Sequence, residues 1–237
     1  MRLDKFLSVT ATATRSEAGK AARAGRIFVN GVACKSPSVH IDPDKDIVVY
    51  NGELVVYRKY TYIMLNKPKG YVSATEDNND KTVLELLPEK LRGLGLFPCG
   101  RLDKNTVGLM LLTDNGELGH KLLAPKSHVS KTYGFECLTP LGDDDVKKLE
   151  DGVYIAGGYL TKPAKIKLSE SRLSGEITIT EGKYHQIKFM FEAVENKIIE
   201  LERLTFGPLI KDESLQRGEW RYLTDSETEM LEKHCEQ

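Results

Sequence analysis

Asp103 stands between Arg101 and Lys104 in GRLDKNTVGLMLLTDNG, residues 100–116, at the mouth of an apolar run over residues 107–112. Gly100 and Gly108 bracket it. A carboxylate in that place has two readings. Its oxygens can close the turn at residues 104–106 as a local cap, or they can form a fixed anion for covalent or acid–base chemistry. The chain has no G-x-S-x-G, no P-loop, no glycine-rich dinucleotide turn and no H-E-x-x-H. Covalent or acid–base work would therefore fall to a carboxylate. A second candidate stretch, KYHQIK at residues 183–188, brings His185 and Lys188 close together in the chain. It reads equally as a capped helix start with an exposed polar face, with His185 as a structural hydrogen-bond partner.

The elements that must position these groups belong to an ordinary globular chain. At 237 residues it forms one large domain or two modest ones, and 40% hydrophobic residues suffice for a real core. No apolar stretch approaches the roughly 18–20 residues that cross a bilayer, and the first twenty residues lack the apolar block of a secretory signal. Cys34, Cys99, Cys137 and Cys235 lie far apart with no C-x-x-C pair. That spacing indicates reduced thiols in a cytoplasmic protein rather than a disulfide frame or a zinc site. The five histidines are scattered, so no metal centre is expected.

Net charge is only −1, but it is segregated. Residues 1–41 carry seven bases against two acids, a net +5, while residues 60–237 sum to −5. A basic first unit joined to a mildly acidic body suggests that the first unit grips a polyanion. Within it, TRSE at residues 14–17 is a capping box, opening a short helix that Gly25 stops. Lys20 and Arg23 share a face of that helix, and Arg15 and Arg26 extend the basic strip. Ala18, Ala21 and Ala22 give its inner face. An earlier helix is expected over residues 3–9, with Leu3, Phe6 and Leu7 turned inward. Asn30-Gly31 and Asn51-Gly52 are two-residue hairpin turns between apolar strands.

In the body, residues 62–65 read as a strand and residues 67–70 as the turn that breaks it. TVLELLPEKL reads as a short helix, residues 117–138 as a helix and then a strand carrying Tyr133, and DDDVKKLEDGV as a helix with an acidic first turn. Strand, helix and strand follow to residue 206. Regular βαβ alternation is absent, so the expected fold class is α+β. A small two-helix plus hairpin-sheet domain at 1–58 precedes a mixed, mostly antiparallel β-sheet domain with packed helices at 60–237.

The first domain, from RLDKFLS through DPDKDIV, resembles the S-four RNA-binding domain. The resemblance implies a groove for structured RNA, bound by shape and phosphate contacts, with Arg15, Lys20, Arg23, Arg26 and Lys35 as its bases. GRLDKNTVGLMLLTDNG resembles the catalytic motif of the pseudouridine synthases, in the branch of ribosomal small subunit pseudouridine synthase A. NKPKGYVSAT, HKLLAPKSHVSKTY, LTKPA, EGKYHQIKFM, ERLTFGPL and GEWRYLT continue the likeness in family order over nearly all of residues 60–225.

The resemblance implies isomerisation of a uridine within RNA: the bond from ribose to the base nitrogen breaks, the uracil turns, and ribose rejoins a base carbon. No cofactor is needed. Asp103 is then the essential aspartate; the residues leave open whether it attacks the anomeric carbon, adds to the uracil ring or takes the ribose 2′ proton. Lys188 is expected to pair with Asp103 and hold it charged. Tyr133 is expected to stack on the detached uracil and Ile187 to complete the apolar wall. Arg101 is expected to contact the RNA and help eject the target nucleotide, with His185 also on the RNA-binding side. One departure stands out: Phe189 follows Lys188 where the branch commonly has another basic residue.

The expected substrate is small-subunit (16S) ribosomal RNA at the uridine at rRNA position 516, within an assembling subunit, bound by a monomer away from any membrane. The alternatives are a large-subunit (23S) uridine and a non-catalytic RNA-binding assembly factor. A carboxylate glycosidase lacks a convincing second carboxylate.

Overall fold

In the computed structural model, which describes residues 1–235, Thr14 closes its capping box. Its hydroxyl accepts from the Glu17 amide at 3.2 Å, and the Glu17 carboxylate accepts the Thr14 amide at 2.8 Å. Two orphan donors at the helix start are thereby satisfied. Helix α1 spans Leu3–Val9 and α2 spans Arg15–Arg23. Leu3, Phe6 and Leu7 are buried with Ala18, Ala21 and Ala22, whose small side chains let α2 approach closely, and with Ile27, Ile41 and Val48. Asn30 and Gly31 both take positive φ, 51° and 80°, the requirement of a primed hairpin turn. They join β1 (Ile27–Val29) to β2 (Val32–Ala33), with Val29 opposite Val32. Asn51 and Gly52 do the same between β3 (Val48–Tyr50) and β4 (Glu53–Val55). The sheet order is β2-β1-β3-β4.

The chain divides into two compact units, Met1–Thr61 with Leu87–Leu96, and Tyr62–Leu86 with everything from Phe97 onward. Residues 236 and 237, the end of the expected second domain, lie outside the described residues. Strand β5 covers Tyr62–Lys67, two residues beyond the expected stop, so Lys67 belongs to a buried strand rather than to the turn. The expected helix over residues 82–91 is instead a 3₁₀ turn, Val83–Leu86, and a separate α3, Glu89–Arg92. Pro88 between them has no N–H to carry one helix through.

The second unit continues with β6 (Phe97–Cys99), β7 (Val107–Thr113), α4 (Gly116–Leu123), β8 (Lys131–Cys137) and α5 (Asp143–Asp151). A short hairpin, β9 (Tyr154–Ile155) and β10 (Tyr159–Leu160), leads to β11 (Lys165–Leu168) and β12 (Ser174–Ile179). Helix α6 (Gln186–Glu192), β13 (Ile198–Phe206), β14 (Leu209–Ile210), β15 (Trp220–Tyr222) and α7 (Asp225–His234) complete it. One sheet runs β11-β12-β8-β13-β7-β5-β15, with β14 beside β13 and β6 beside β7. Its pairs are antiparallel except β13 with β7.

Every residue of β5 and β7 is buried; covered on both faces, β7 reads as an apolar run to Leu112, while β5 is apolar to Leu65 and ends in buried Asn66 and Lys67. Strand β8 alternates instead: Tyr133, Phe135 and Cys137 are buried and Glu136 is exposed. Phe135 meets Phe191 edge-on at 4.9 Å, which fixes α6 on that face. Among the described residues no helix is long and apolar enough to cross a membrane.

Candidate active site

Residues 100–106 form the loop between β6 and β7, and side chains from residues 67–73 hold it from behind. The Ser73 hydroxyl donates to the Leu102 carbonyl at 2.8 Å and accepts the Leu102 amide at 2.9 Å. The Lys67 ammonium shares its three N–H groups among four carbonyls: Pro68 at 3.2 Å, Asp103 at 3.0 Å, Lys104 at 3.2 Å and Thr106 at 2.8 Å. The Gly70 amide adds a bond to the Lys104 carbonyl at 2.9 Å. The turn after Asp103 is closed by its backbone, whose carbonyl accepts the Thr106 amide at 3.1 Å. Its carboxylate is thereby released from capping.

That carboxylate faces α6. Lys188 Nζ donates to Asp103 Oδ2 at 2.5 Å, and His185 Nε2 lies 3.5 Å from Oδ1. Both partners of the ion pair are half-buried, so water screens them less than it would a surface pair. His185 reaches the carboxylate because its backbone is left-handed, with φ 49° and ψ 27°. Such a conformation costs of order 1–3 kcal/mol for a residue with a Cβ, though histidine accepts it more readily than most. Gln186 steadies the turn: its Oε1 accepts the Lys183 amide at 2.9 Å and its Nε2 donates to Glu181 at 2.7 Å.

Two fully buried cations lie behind the loop. Arg203 on β13 donates from Nε to the Leu109 carbonyl at 2.7 Å and lies over the Phe206 ring at 5.1 Å. Burial pulls the Lys67 ammonium down to about 8; the Asp103 charge opposes the shift, and Arg203 and Lys188 add to it. Gly108, at φ +100°, lets β13 approach: a Cβ there would stand 2.4 Å from the Arg203 carbonyl oxygen. An anion is thus fixed by backbone clamps, with one oxygen on an ammonium and the other turned to an imidazole. Such a group can act as a nucleophile or as a base.

Comparison with known proteins decides the family. The model of the RNA pseudouridylate synthase family matches residues 61–193, and the model of the S4 domain matches residues 1–47. The "Uncharacterized RNA pseudouridine synthase YtzG" of Bacillus subtilis is 45% identical, across 98% of each chain. The "Ribosomal small subunit pseudouridine synthase A" of Haemophilus influenzae is 39% identical, across 98% of this chain and all of that one. A solved structure described as "Crystal structure of pseudouridylate synthase" aligns with a TM-score of 0.69 at 39% identity, covering 98% of this chain and 99% of that one. The chain belongs to the RNA pseudouridylate synthase family.

In this synthase the structure brings together Asp103, Lys188 and His185. Ile187 is buried on α6 beside Lys188. Tyr133, also buried, is the register partner of Arg203, which is in turn the register partner of Gly108. Arg101 is exposed two residues before Asp103. Arg15, Lys20, Arg23, Arg26 and Lys35 are all exposed in the first unit. Reading the sequence missed Lys67, Ser73 and Arg203 as parts of the site. Lys67 has one local signal, a charge at the end of a strand that begins with four apolar residues; Ser73 and Arg203 lie in NKPKGYVSAT and ERLTFGPL, stretches that carry the family likeness without marking which residue serves the site.

Proposed function

We propose that the synthase converts a uridine to pseudouridine in small-subunit (16S) ribosomal RNA, at the uridine at rRNA position 516, with Asp103 as catalytic carboxylate and no cofactor. The observation that supports this most is the Asp103–Lys188 contact on a loop clamped from behind. The name of the Haemophilus influenzae relative favours the small subunit. The isomerisation breaks the bond from ribose C1′ to uracil N1 and forms one from C1′ to C5. The hydrogen on C5 leaves as a proton and N1 gains one, so no electrons are exchanged with a cofactor.

Lys188 pairs with Asp103 and keeps it aimed, Tyr133 stacks on the freed uracil, and Ile187 shuts water from its edge. Arg101 and His185 grip the RNA around the extruded nucleotide. Residues 1–58 capture structured RNA through Arg15, Lys20, Arg23, Arg26 and Lys35, and residues 60–237 carry out the chemistry. The enzyme works as a monomer in the cytoplasm on an assembling small subunit.

Release of tritium from RNA labelled at uracil C5 tests the chemistry. Asp103→Asn abolishes release while RNA binding persists; equal release by both proteins removes Asp103 from the mechanism. Carbodiimide-dependent reverse-transcription stops, mapped in both rRNAs of a deletion strain, test the target. Loss of a 23S stop instead moves the substrate to the large subunit, and no lost stop removes both rRNA assignments.

A further inference from the structure

Tyr184 is 75% exposed, yet its ring is not loose. It stacks on His185 with centroids 3.8 Å apart and planes 18° from parallel. Phe189 leans on both rings, 6.4 Å from Tyr184 and 5.9 Å from His185. The left-handed turn at His185 thus does two things: it points the imidazole at Asp103 and leaves a second ring lying flat on it, with its outer face open to solvent. Among the described residues one free cation flanks this column: Lys183, just before Tyr184, lies over the Tyr159 ring at 4.5 Å, whereas Lys188, within one helical turn, is taken up by Asp103. The position after Lys188 carries the Phe189 ring, so this helix start offers aromatic surface where a second charge would offer only a phosphate contact.

An open aromatic face beside an ammonium group fits one kind of ligand well: a nucleobase stacked on the ring, with a phosphate on the Lys183 cation. We propose that the outer face of Tyr184, backed by His185 and Phe189, is a stacking platform for the nucleobase adjacent to the uridine being isomerised. This rests on the reading of Asp103 as the catalytic carboxylate. Pulling a uridine out of its stack leaves its neighbour with one uncovered face. Tyr184 covers that face with a ring already ordered by the column, so little side-chain freedom is lost on binding. Stacking does not read sequence, so the platform strengthens RNA binding and register without choosing the base.

The test uses a fragment of small-subunit rRNA centred on the proposed uridine, labelled with tritium at C5 of that base. A parallel set carries 5-iodouridine at the position immediately before or after it. Tyr184→Ala raises KM about ten-fold and changes kcat by less than three-fold, whereas Tyr184→Phe keeps the wild-type KM. Long-wave ultraviolet light cross-links the iodinated neighbour to Tyr184 in the wild type and in Asp103→Asn, but not in Tyr184→Ala. Thermal melting of Tyr184→Ala falls by no more than a few degrees, because only its ring contacts with His185 and Phe189 are lost.

Tritium release with a wild-type KM in Tyr184→Ala, or a cross-link that maps elsewhere, overturns the platform and leaves the catalytic reading intact. A cross-link to Tyr184 without tritium release from any rRNA overturns the catalytic reading, and with it a platform for a reacting site. Absence of both release and cross-link overturns both.

Discussion

In the first unit Arg15, Lys20, Arg23, Arg26 and Lys35 are all exposed, whereas in the second Lys67 and Arg203 are buried and Lys188 is half-buried against Asp103. The same charge does different work in the two places. An exposed cation keeps its water and its rotamers, and it attracts a polyanion over about a Debye length, roughly 8–10 Å. A buried cation has lost that water and must be held by fixed acceptors. Lys67 has four carbonyls; Arg203 has one carbonyl and a ring face. The first arrangement suits capture of RNA in many poses. The second suits holding one carboxylate to a fraction of an ångström.

Removing the half-buried cation breaks this contrast most severely. Lys188→Met leaves Asp103 without its ammonium, and kcat falls about a thousand-fold, the scale of losing one preorganised electrostatic partner. RNA affinity stays within a few-fold. Lys188→Arg recovers part of the rate, because the charge returns with a different shape. Single-turnover tritium release with a parallel binding titration checks both. A loss in affinity as large as the loss in rate would turn Lys188 into an RNA contact and leave the anion to other groups.

Next comes the cation behind the loop. Lys67→Met orphans carbonyls at the Asp103 turn and destabilises the fold by about 3 kcal/mol, a drop in Tm of about 6–12 °C. Its pH dependence has a definite sign. An unfolded lysine keeps its proton to the ordinary 10.5, and folded Lys67 releases it near 8. Below about 8 both states are charged and the full cost of burial is present. Between about 8 and 10.5 the unfolded state binds more protons, so wild-type stability rises relative to Lys67→Met. Chemical denaturation of both proteins across that window measures the widening gap; a constant gap means that Lys67 titrates alike in both states.

The features legible in the sequence were those that neighbours in the chain determine. The capping box at Thr14, the paired positive-φ turns at Asn30-Gly31 and Asn51-Gly52, and helix α1 over residues 3–9 depend on residues within a few positions. The unbroken apolar run of β7 announces a strand covered on both faces. What sequence reading missed was long-range. Ser73 reaches Leu102 across 29 positions and Lys67 reaches Thr106 across 39, and no local pattern tells either residue which partner it meets. Lys67 reads as part of a turn because a lysine beside a proline ordinarily is one; only the register of β5 on β7, with Lys67 opposite Gly108, puts it inside. The left-handed backbone of His185 is likewise invisible in KYHQIK, where a capped helix start is the ordinary outcome.

The exposed cations give the smallest effect, and the one that best separates the two uses of charge. Replacing Arg15, Lys20 and Arg23 together with alanine leaves the buried core of the first unit intact, since all three side chains are exposed. If each meets a phosphate, the slope of log affinity against log salt becomes shallower by about 2 to 3. KM at moderate salt rises about ten-fold, and kcat at saturating RNA falls by less than two-fold. The same titration on Lys188→Met keeps the wild-type slope, because that ammonium is already neutralised by Asp103 and releases no counterion from RNA. An unchanged slope in the triple variant means that the basic strip on α2 is a solvated face. Capture of the RNA then falls to cations of the second unit, and the division of labour drawn from burial alone fails at the unit where the charges are most plainly displayed.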